Sequence, residues 1–214
     1  MSTFFSCALK NQETMNVFLN SFTPLVVSPS GIAASEKYQL PPYIDGSCRR
    51  EPDFESPFPA ITGLCRTNKL VPRLHETDLI IYITIKGTYG QPFKHWRFVC
   101  IFKKVATHAD ACDWYMENSH RLAQNVICEE TKPFPYYKTH QLTNCTCEGH
   151  ADVERWDAHY HERAATYPKV AICRVWNEQR HLHNPPSIDE EKMVNVFNRI
   201  PGTQNPPMLR AGEW

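Results

Sequence analysis

The chain has 214 residues, a length that allows one domain with a substantial core and does not require disulfide bonds for stability. Its 23 basic and 23 acidic residues cancel, so net charge alone does not direct the chain to a polyanion. Nine cysteines, no secretory leader and no apolar run of about 20 residues predict reduced thiols, a cytoplasmic location and no membrane association.

Charge is distributed unevenly along the chain. Residues 49–104 contain ten Lys or Arg and five Asp or Glu, a net charge of +5, which leaves 13 basic and 18 acidic residues, a net charge of −5, elsewhere. Such a segment can form an anion-binding face, but an ordinary solvated surface explains the charge equally well. The charge pattern supports a nucleic-acid partner without establishing one.

The first 73 residues show little periodicity. FTPLVV, residues 22–27, predicts a short strand, and SPSG, residues 28–31, predicts a turn after it. Residues 41–73 contain six prolines and predict a long ordered loop. Long loops on a small scaffold are often functional, so this segment is of interest.

The most regular part of the chain is residues 79–118. Alternating apolar residues at 79–85 predict a strand covered on both faces, and residues 96–102 predict its antiparallel neighbour after a turn that Gly87 and Gly90 bracket. A capping-box spacing at Thr107 predicts a helix over 108–118. Further along, 170–176 predicts a strand, 187–198 a helix and 199–214 an irregular tail.

Short strands, long loops and few helices predict an α+β fold, a small mostly antiparallel β-barrel with helical decoration. A parallel α/β sheet would need several crossover helices, which the pattern lacks. We expect a single domain over 1–214, with a barrel core at about 20–120 and a C-terminal strand and helix extension at about 121–214.

Several segments resemble known families. PRLHETDLIIYITIKG and HWRFVCIFKKV resemble the barrel of the PUA-like superfamily, which includes the ASCH, EVE and YTH domains. DGSCRREPDFE, ITGLCR and IPGTQNPP are similar to uncharacterised nucleotide-modification-associated domains found near base-hypermodification genes. The barrel resemblance covers about residues 40–120. It implies a PUA-like barrel that recognises a nucleotide, often with a modified or flipped base, in a pocket at the barrel's mouth.

Candidate nucleic-acid-binding residues lie in and around the proposed barrel. Adjacent arginines beside a hydroxyl suit phosphate oxygens. Pairing with Glu51 or Asp53 is the better explanation for any single arginine of the loop 45–55, and phosphate binding is the better one for the loop as a whole if the chain forms the proposed barrel. Among the nearby aromatic residues, core packing is the commoner role, and Trp96 is the best candidate for stacking on a base. The predicted binding residues are Ser47, Arg49, Arg50, Arg66, Arg73, Trp96 and Arg97.

Thiol and imidazole side chains are concentrated between residues 145 and 183. They are the ligands that zinc prefers, but the spacing C-x-C-x2-H differs from the common C-x2-C pair. Buried cysteines and surface histidines explain the same residues, so we predict no stoichiometric zinc and no cofactor. The weaker candidates for a metal site are Cys145, Cys147, His150 and Cys173, with His159, His161, His181 and His183 nearby.

The predicted function is therefore a module that binds nucleic acid or a modified nucleotide, with DNA favoured over RNA and a link to DNA base modification. The alternative is an enzyme acting on nucleotides or nucleic acid that uses the Cys and His cluster, and a protein-interaction domain is a third reading. No nucleophile-elbow, metalloprotease, deaminase or Walker motif is present. The sequence does not assign a catalytic residue or an oligomeric state.

Overall fold

A curled mixed β-sheet forms a half-barrel and supplies most of the architecture. The computed structural model describes residues 15–46, 52, 54–63, 69–109, 166–197 and 208–209. Within these ranges there are seven strands: β1 Val17–Phe22, β2 Ala60–Thr62, β3 Leu79–Thr84, β4 Trp96–His108, β5 Val170–Arg180, β6 Ser187–Ile188 and β7 Met208–Leu209. The described helices are α1 Pro29–Tyr38 and α2 Glu190–Phe197.

The strands follow the order β2-β5-β4-β3-β1-β7, and β6 pairs with the start of β4. Only β1 and β3 run parallel among the described pairs, so the sheet is mostly antiparallel, as predicted. The strand β5 lies between β4 and β2, which means that a segment beyond residue 120 supplies a central strand. The predicted division into core and extension stays a prediction.

The predicted pairing of the two regular strands is confirmed. Leu79 lies opposite Lys103 and Tyr82 opposite Cys100, and the register then shifts so that Ile83 faces Phe98. This irregularity leaves Val99 as an extra residue in β4, which is a β-bulge. Because side chains alternate along a strand, the bulge changes which face the residues on its N-terminal side occupy.

Both faces of β3 are covered, as the sequence predicted. The inner face carries an aromatic cluster in which the Tyr82 ring lies 5.3 Å from Phe54 and 5.1 Å from Phe102. On the outer face, Ile83 and Trp96 pack in a second cluster together with Met193 of α2. A regular alternation along 96–102 would place Trp96 on one face with Cys100 and Phe102, but the bulge at Val99 separates them.

The N-terminal prediction was displaced by several residues. The first strand ends at Phe22, and Leu25–Val27 form a turn of 3-10 helix. Pro24 has no backbone N–H for a sheet ladder, which explains why the strand does not continue. The predicted turn at 28–31 is instead the start of α1, where the Ser28 hydroxyl accepts a hydrogen bond from Gly31 N at 3.0 Å and Pro29 occupies the first helical position.

Two further boundaries differ from the prediction. The strand β4 continues to His108, since Thr107 and His108 pair with Ala171 and Val170, so no helix starts at Thr107. Residues 110–118 of the predicted helix lie outside the described residues. The strand predicted at 170–176 extends to Arg180 through an irregular stretch that includes positive φ angles at two adjacent residues, Asn177 and Glu178.

The last helix begins three residues later than predicted. Ser187 and Ile188 pair with β4, and Asp189 caps α2 by accepting a hydrogen bond from Lys192 N at 2.8 Å. This bond, with the Lys192 ammonium, lowers the pKa of Asp189. In the predicted irregular tail, Met208–Leu209 pair with β1. Neither of the described helices has the length and apolar composition needed to cross a membrane.

Candidate functional site

The candidate site lies at the end of the sheet where β1 and β3 finish and β4 begins. We call it the hairpin end, and it includes the β3–β4 connection, residues 85–95. Gly87 and His95 exchange two backbone hydrogen bonds of 2.9 Å, which close this connection. Tyr89 and Gly90 at its tip have φ angles of 45° and 78°. Positive φ at both central positions is the pattern of a type I′ turn, which Gly, Asn and Asp favour over tyrosine.

The Tyr89 side chain folds back over the connection. Its hydroxyl donates to the Ile85 carbonyl at 2.6 Å, and its ring lies 6.0 Å from the Tyr43 ring. A Cβ added to Gly87 would lie 2.9 Å from Tyr89 Cε2, so the ring occupies space that only glycine leaves open. Burial raises the pKa of Tyr89, with a smaller opposing effect from a hydrogen bond with Thr84. The phenol is therefore protonated at neutral pH.

Arg97, a predicted binding residue, holds the connection against β6. Its Nη1 donates to the Pro185 carbonyl at 3.0 Å, and its Nη2 donates to the Tyr89 carbonyl at 3.3 Å. Its backbone N–H donates to Thr84 Oγ1 at 2.9 Å. Among the residues that the structure describes, the buried Nε has no hydrogen-bond partner.

His95 is fully buried beside the same turn. Its ring lies 5.6 Å from the Tyr89 ring and 5.3 Å from the Phe93 ring. Nδ1 lies 3.2 Å from the Phe93 carbonyl, and since a carbonyl oxygen can only accept, Nδ1 carries the hydrogen. In the neutral ring Nε2 is then an acceptor, and it has no partner within the described part of the chain.

An exposed aromatic residue and a lysine lie at the rim of this site. Phe93 is 54% exposed, the largest exposure among the large hydrophobic side chains described, and Lys94 beside it is also exposed. An exposed aromatic ring next to a cation suits a stacked base and its phosphate. Sequence reasoning missed Phe93, although an apolar ring between Pro92 and Lys94 in a polar turn is a usable signal.

The loop 45–55, which we call the arginine-rich loop, starts from the hairpin end. Gly46 N donates to the Thr23 carbonyl at 2.8 Å, and Asp45 pairs with Pro24, which closely follows β1. The chain returns at Phe54, whose ring lies 4.7 Å from Phe22 at the end of β1. Both attachment points therefore lie at this end of the sheet. The predicted residues Ser47, Arg49 and Arg50 themselves lie outside the described residues.

Trp96 is placed differently from the other members of the site. It is 3% exposed and packs in the outer cluster beneath Met193 of α2. The Lys86 ammonium lies 4.7 Å from its ring centroid and 2.6 Å from Glu190 Oε2. The ring is thus already covered, and contact with a base would require α2 to move. Its predicted role in binding stays a prediction.

Arg73 lies away from the hairpin end. It ends a 3-10 turn, is exposed and places its guanidinium 5.2 Å from the ring centroid of Phe18, near the start of β1. Arg66, which was predicted to extend the same basic surface, lies outside the described residues. The structure therefore brings Arg97 and the attachment points of the loop together, and it leaves Arg73 at the far end of β1.

The thiols in the described part of the chain are core residues. Cys173 is fully buried, and burial raises its pKa to about 12 despite the nearby Lys104 ammonium. Burial likewise raises the pKa of Cys100. No three His, Cys, Asp or Glu side chains converge as a metal site within the described residues. Cys145, Cys147, His150, His159 and His161 lie outside them, so the zinc prediction stays a prediction.

Comparisons of this chain with models of known families, with curated proteins and with solved structures found no match. The functional argument therefore rests on the geometry of the hairpin end and on the sequence.

Proposed function

We propose that the protein binds nucleic acid or a modified nucleotide at the hairpin end, with the half-barrel acting as a PUA-like barrel. The observation that carries this proposal is the location of the exposed Phe93 and Lys94. They lie at the same end of the sheet as both attachment points of the arginine-rich loop, Asp45 and Phe54. An exposed aromatic ring, a lysine and the two points where the arginine-rich loop begins and ends thus lie at one end of one sheet.

The chemistry of these groups fits a nucleotide. A base stacked on Phe93 gains about 1–3 kcal/mol irrespective of its identity, since every base has a π-face. Lys94 and the loop arginines supply cations for phosphate oxygens, and the guanidinium groups can bind them in bidentate form. DNA is the favoured polymer, and a modified base is the favoured target, in keeping with the resemblance to nucleotide-modification-associated domains.

The enzyme hypothesis has no comparable support among the described residues. That hypothesis relies on the Cys and His cluster at 145–183, in which Cys173 is the only thiol that the structure describes. Cys173 is buried in the core and protonated at neutral pH. A nucleophilic or metal-binding cysteine needs an accessible thiolate. A binding module therefore accounts better for what the hairpin end displays.

Fluorescence anisotropy with labelled oligonucleotides tests the proposal. Single- and double-stranded DNA and RNA, with and without modified bases, are titrated at about 50 and about 200 mM salt. We expect Phe93→Ala to cost about 1–3 kcal/mol of binding free energy while the salt dependence is retained. Lys94→Ala should weaken binding to every sequence and lower the salt slope by about one. The double variant Arg49→Ala, Arg50→Ala should lower the slope further.

Val105→Ala and Lys169→Ala are matched controls, since both side chains are exposed near the opposite end of the sheet, at the end of β4 and before β5. They should bind like the wild type. Failure of the folded wild type to bind any oligonucleotide at low salt would overturn the proposed function. Equal effects of the control and hairpin variants would show that binding occurs elsewhere.

A further inference from the structure

Two buried polar atoms at the hairpin end lack hydrogen-bond partners within the described residues. They are Nε of Arg97, a donor, and Nε2 of His95, which in the neutral ring is an acceptor because Nδ1 faces the Phe93 carbonyl. Buried polar groups are almost always hydrogen-bonded, and unsatisfied ones call for an explanation. The two residues are separated by only one position in the chain, and one offers a donor while the other offers an acceptor. Together they indicate that a polar partner is missing.

Tyr89 contacts both of these residues. Its ring lies 5.6 Å from the His95 ring in an edge-to-face arrangement, and its carbonyl accepts from Arg97 at 3.3 Å. The φ angle of 45° is one that a tyrosine rarely adopts, and such strain persists where the surrounding structure imposes it, often at ligand sites. The ring is seated over Gly87, where an added Cβ would lie 2.9 Å from Tyr89 Cε2.

We propose that Tyr89 covers a base-recognition site and that a nucleobase takes the place of its ring. This inference rests on the proposed function and adds the class of ligand. Once Tyr89 swings outward, Arg97 Nε can donate to an acceptor on the base, and His95 Nε2 can accept from a donor. Nucleobases carry a donor and an acceptor side by side along their pairing edges, as in the carbonyl and ring N–H of uracil, thymine and guanine.

The displaced ring also explains how specificity arises. A sugar phosphate without a base can use Lys94 but has no planar ring to fill the space that the Tyr89 ring leaves. A base can satisfy both unpartnered atoms, and each recovered hydrogen bond corresponds to about a fivefold gain in affinity.

Two variants displace the ring by different means. Tyr89→Gly removes it and suits the positive φ, whereas Gly87→Ala keeps the tyrosine but places a Cβ 2.9 Å from its Cε2. Gly90→Ala is the matched control, because its φ of 78° is strained in the same turn while nothing lies within 4 Å of the added Cβ. Calorimetry with the common nucleoside monophosphates, and with ribose 5-phosphate as the base-free probe, measures the outcome.

We expect Tyr89→Gly and Gly87→Ala to bind at least one nucleoside monophosphate about fivefold or more tightly than the wild type does, because only the wild type must break the hydrogen bond from Tyr89 to the Ile85 carbonyl to move the ring. Their affinity for ribose 5-phosphate should be unchanged, and Gly90→Ala should behave like the wild type. Adding His95→Phe to Tyr89→Gly should abolish the gain. Weaker monophosphate binding by Tyr89→Gly would show that the ring is a stacking platform, and unchanged binding would show that the covered site is unused. Either result overturns this inference alone if oligonucleotide binding still depends on Phe93 and Lys94.

Discussion

Replacing Trp96 separates a structural role from a binding role for the residue that the sequence singled out. Truncating a buried tryptophan typically costs about 3–5 kcal/mol, and Trp96 is 3% exposed in the outer cluster. Loss of the contact with the Lys86 ammonium adds about 0.5–1 kcal/mol, as expected for a cation–π pair at an exposed site. We therefore expect Trp96→Ala to lower the free energy of unfolding by about 4 kcal/mol.

Urea denaturation followed by circular dichroism measures this loss. Trp176→Ala is the matched control, because Trp176 joins the same cluster while only partly buried and lies 5.2 Å from the Lys103 ammonium. Its cost should be about half as large, in proportion to the area it buries. Trp96→Phe should stay folded and bind oligonucleotides like the wild type. A Trp96→Ala loss below about 1 kcal/mol, together with weakened binding at an unchanged salt slope, would refute this reasoning.

Two further predictions concern the core. The Cys173 thiol has its pKa raised from 9.0 to about 12, so its contribution to stability is complete below pH 9 and is lost as the pH rises towards 12. Denaturation at about pH 8 and about pH 10 should show a loss about 1.4 kcal/mol larger in the wild type than in Cys173→Ala, and equal losses would contradict the burial. Asp78, a buried carboxylate that accepts 2.8 Å bonds from Asn16 N and His75 N, should cost about 2–4 kcal/mol when replaced by alanine. Glu76→Ala, an exposed change in the same turn, should alter the free energy of unfolding by under about 0.5 kcal/mol, and similar costs for the two variants would argue against this role for Asp78.

The pairing of β3 with β4 was predictable because apolar residues alternate along both segments and Gly87 and Gly90 bracket the turn between them. The first strand was harder to predict, since VFLNSF includes the buried Asn20 and its neighbour β3 lies 62 residues further along the chain. Likewise, the position of β5 in the centre of the sheet depends on pairing across a long connection. Local periodicity carries no information about such partners.

The candidate site was only partly predictable for a different reason. Arg97 was identified from residue type and position, but the role of Tyr89 depends on a backbone conformation that sequence rules assign to Gly, Asn or Asp. The contact between Tyr89 and Gly87 follows from that conformation and not from their spacing. The packing of the Tyr89 ring against the His95 ring follows from the same conformation, so residue types alone could not predict it.

The bulge at Val99 decides which residues of β4 reach the site. In a regular strand, Trp96 would share a face with Cys100 and Phe102. The extra residue reverses the alternation, so Trp96 packs in the outer cluster with Ile83. Its neighbours on either side, His95 and Arg97, are then directed to the side where Tyr89 lies. The irregularity that turns the predicted stacking residue, Trp96, to the outer face is thus the one that turns Arg97 and His95 towards Tyr89.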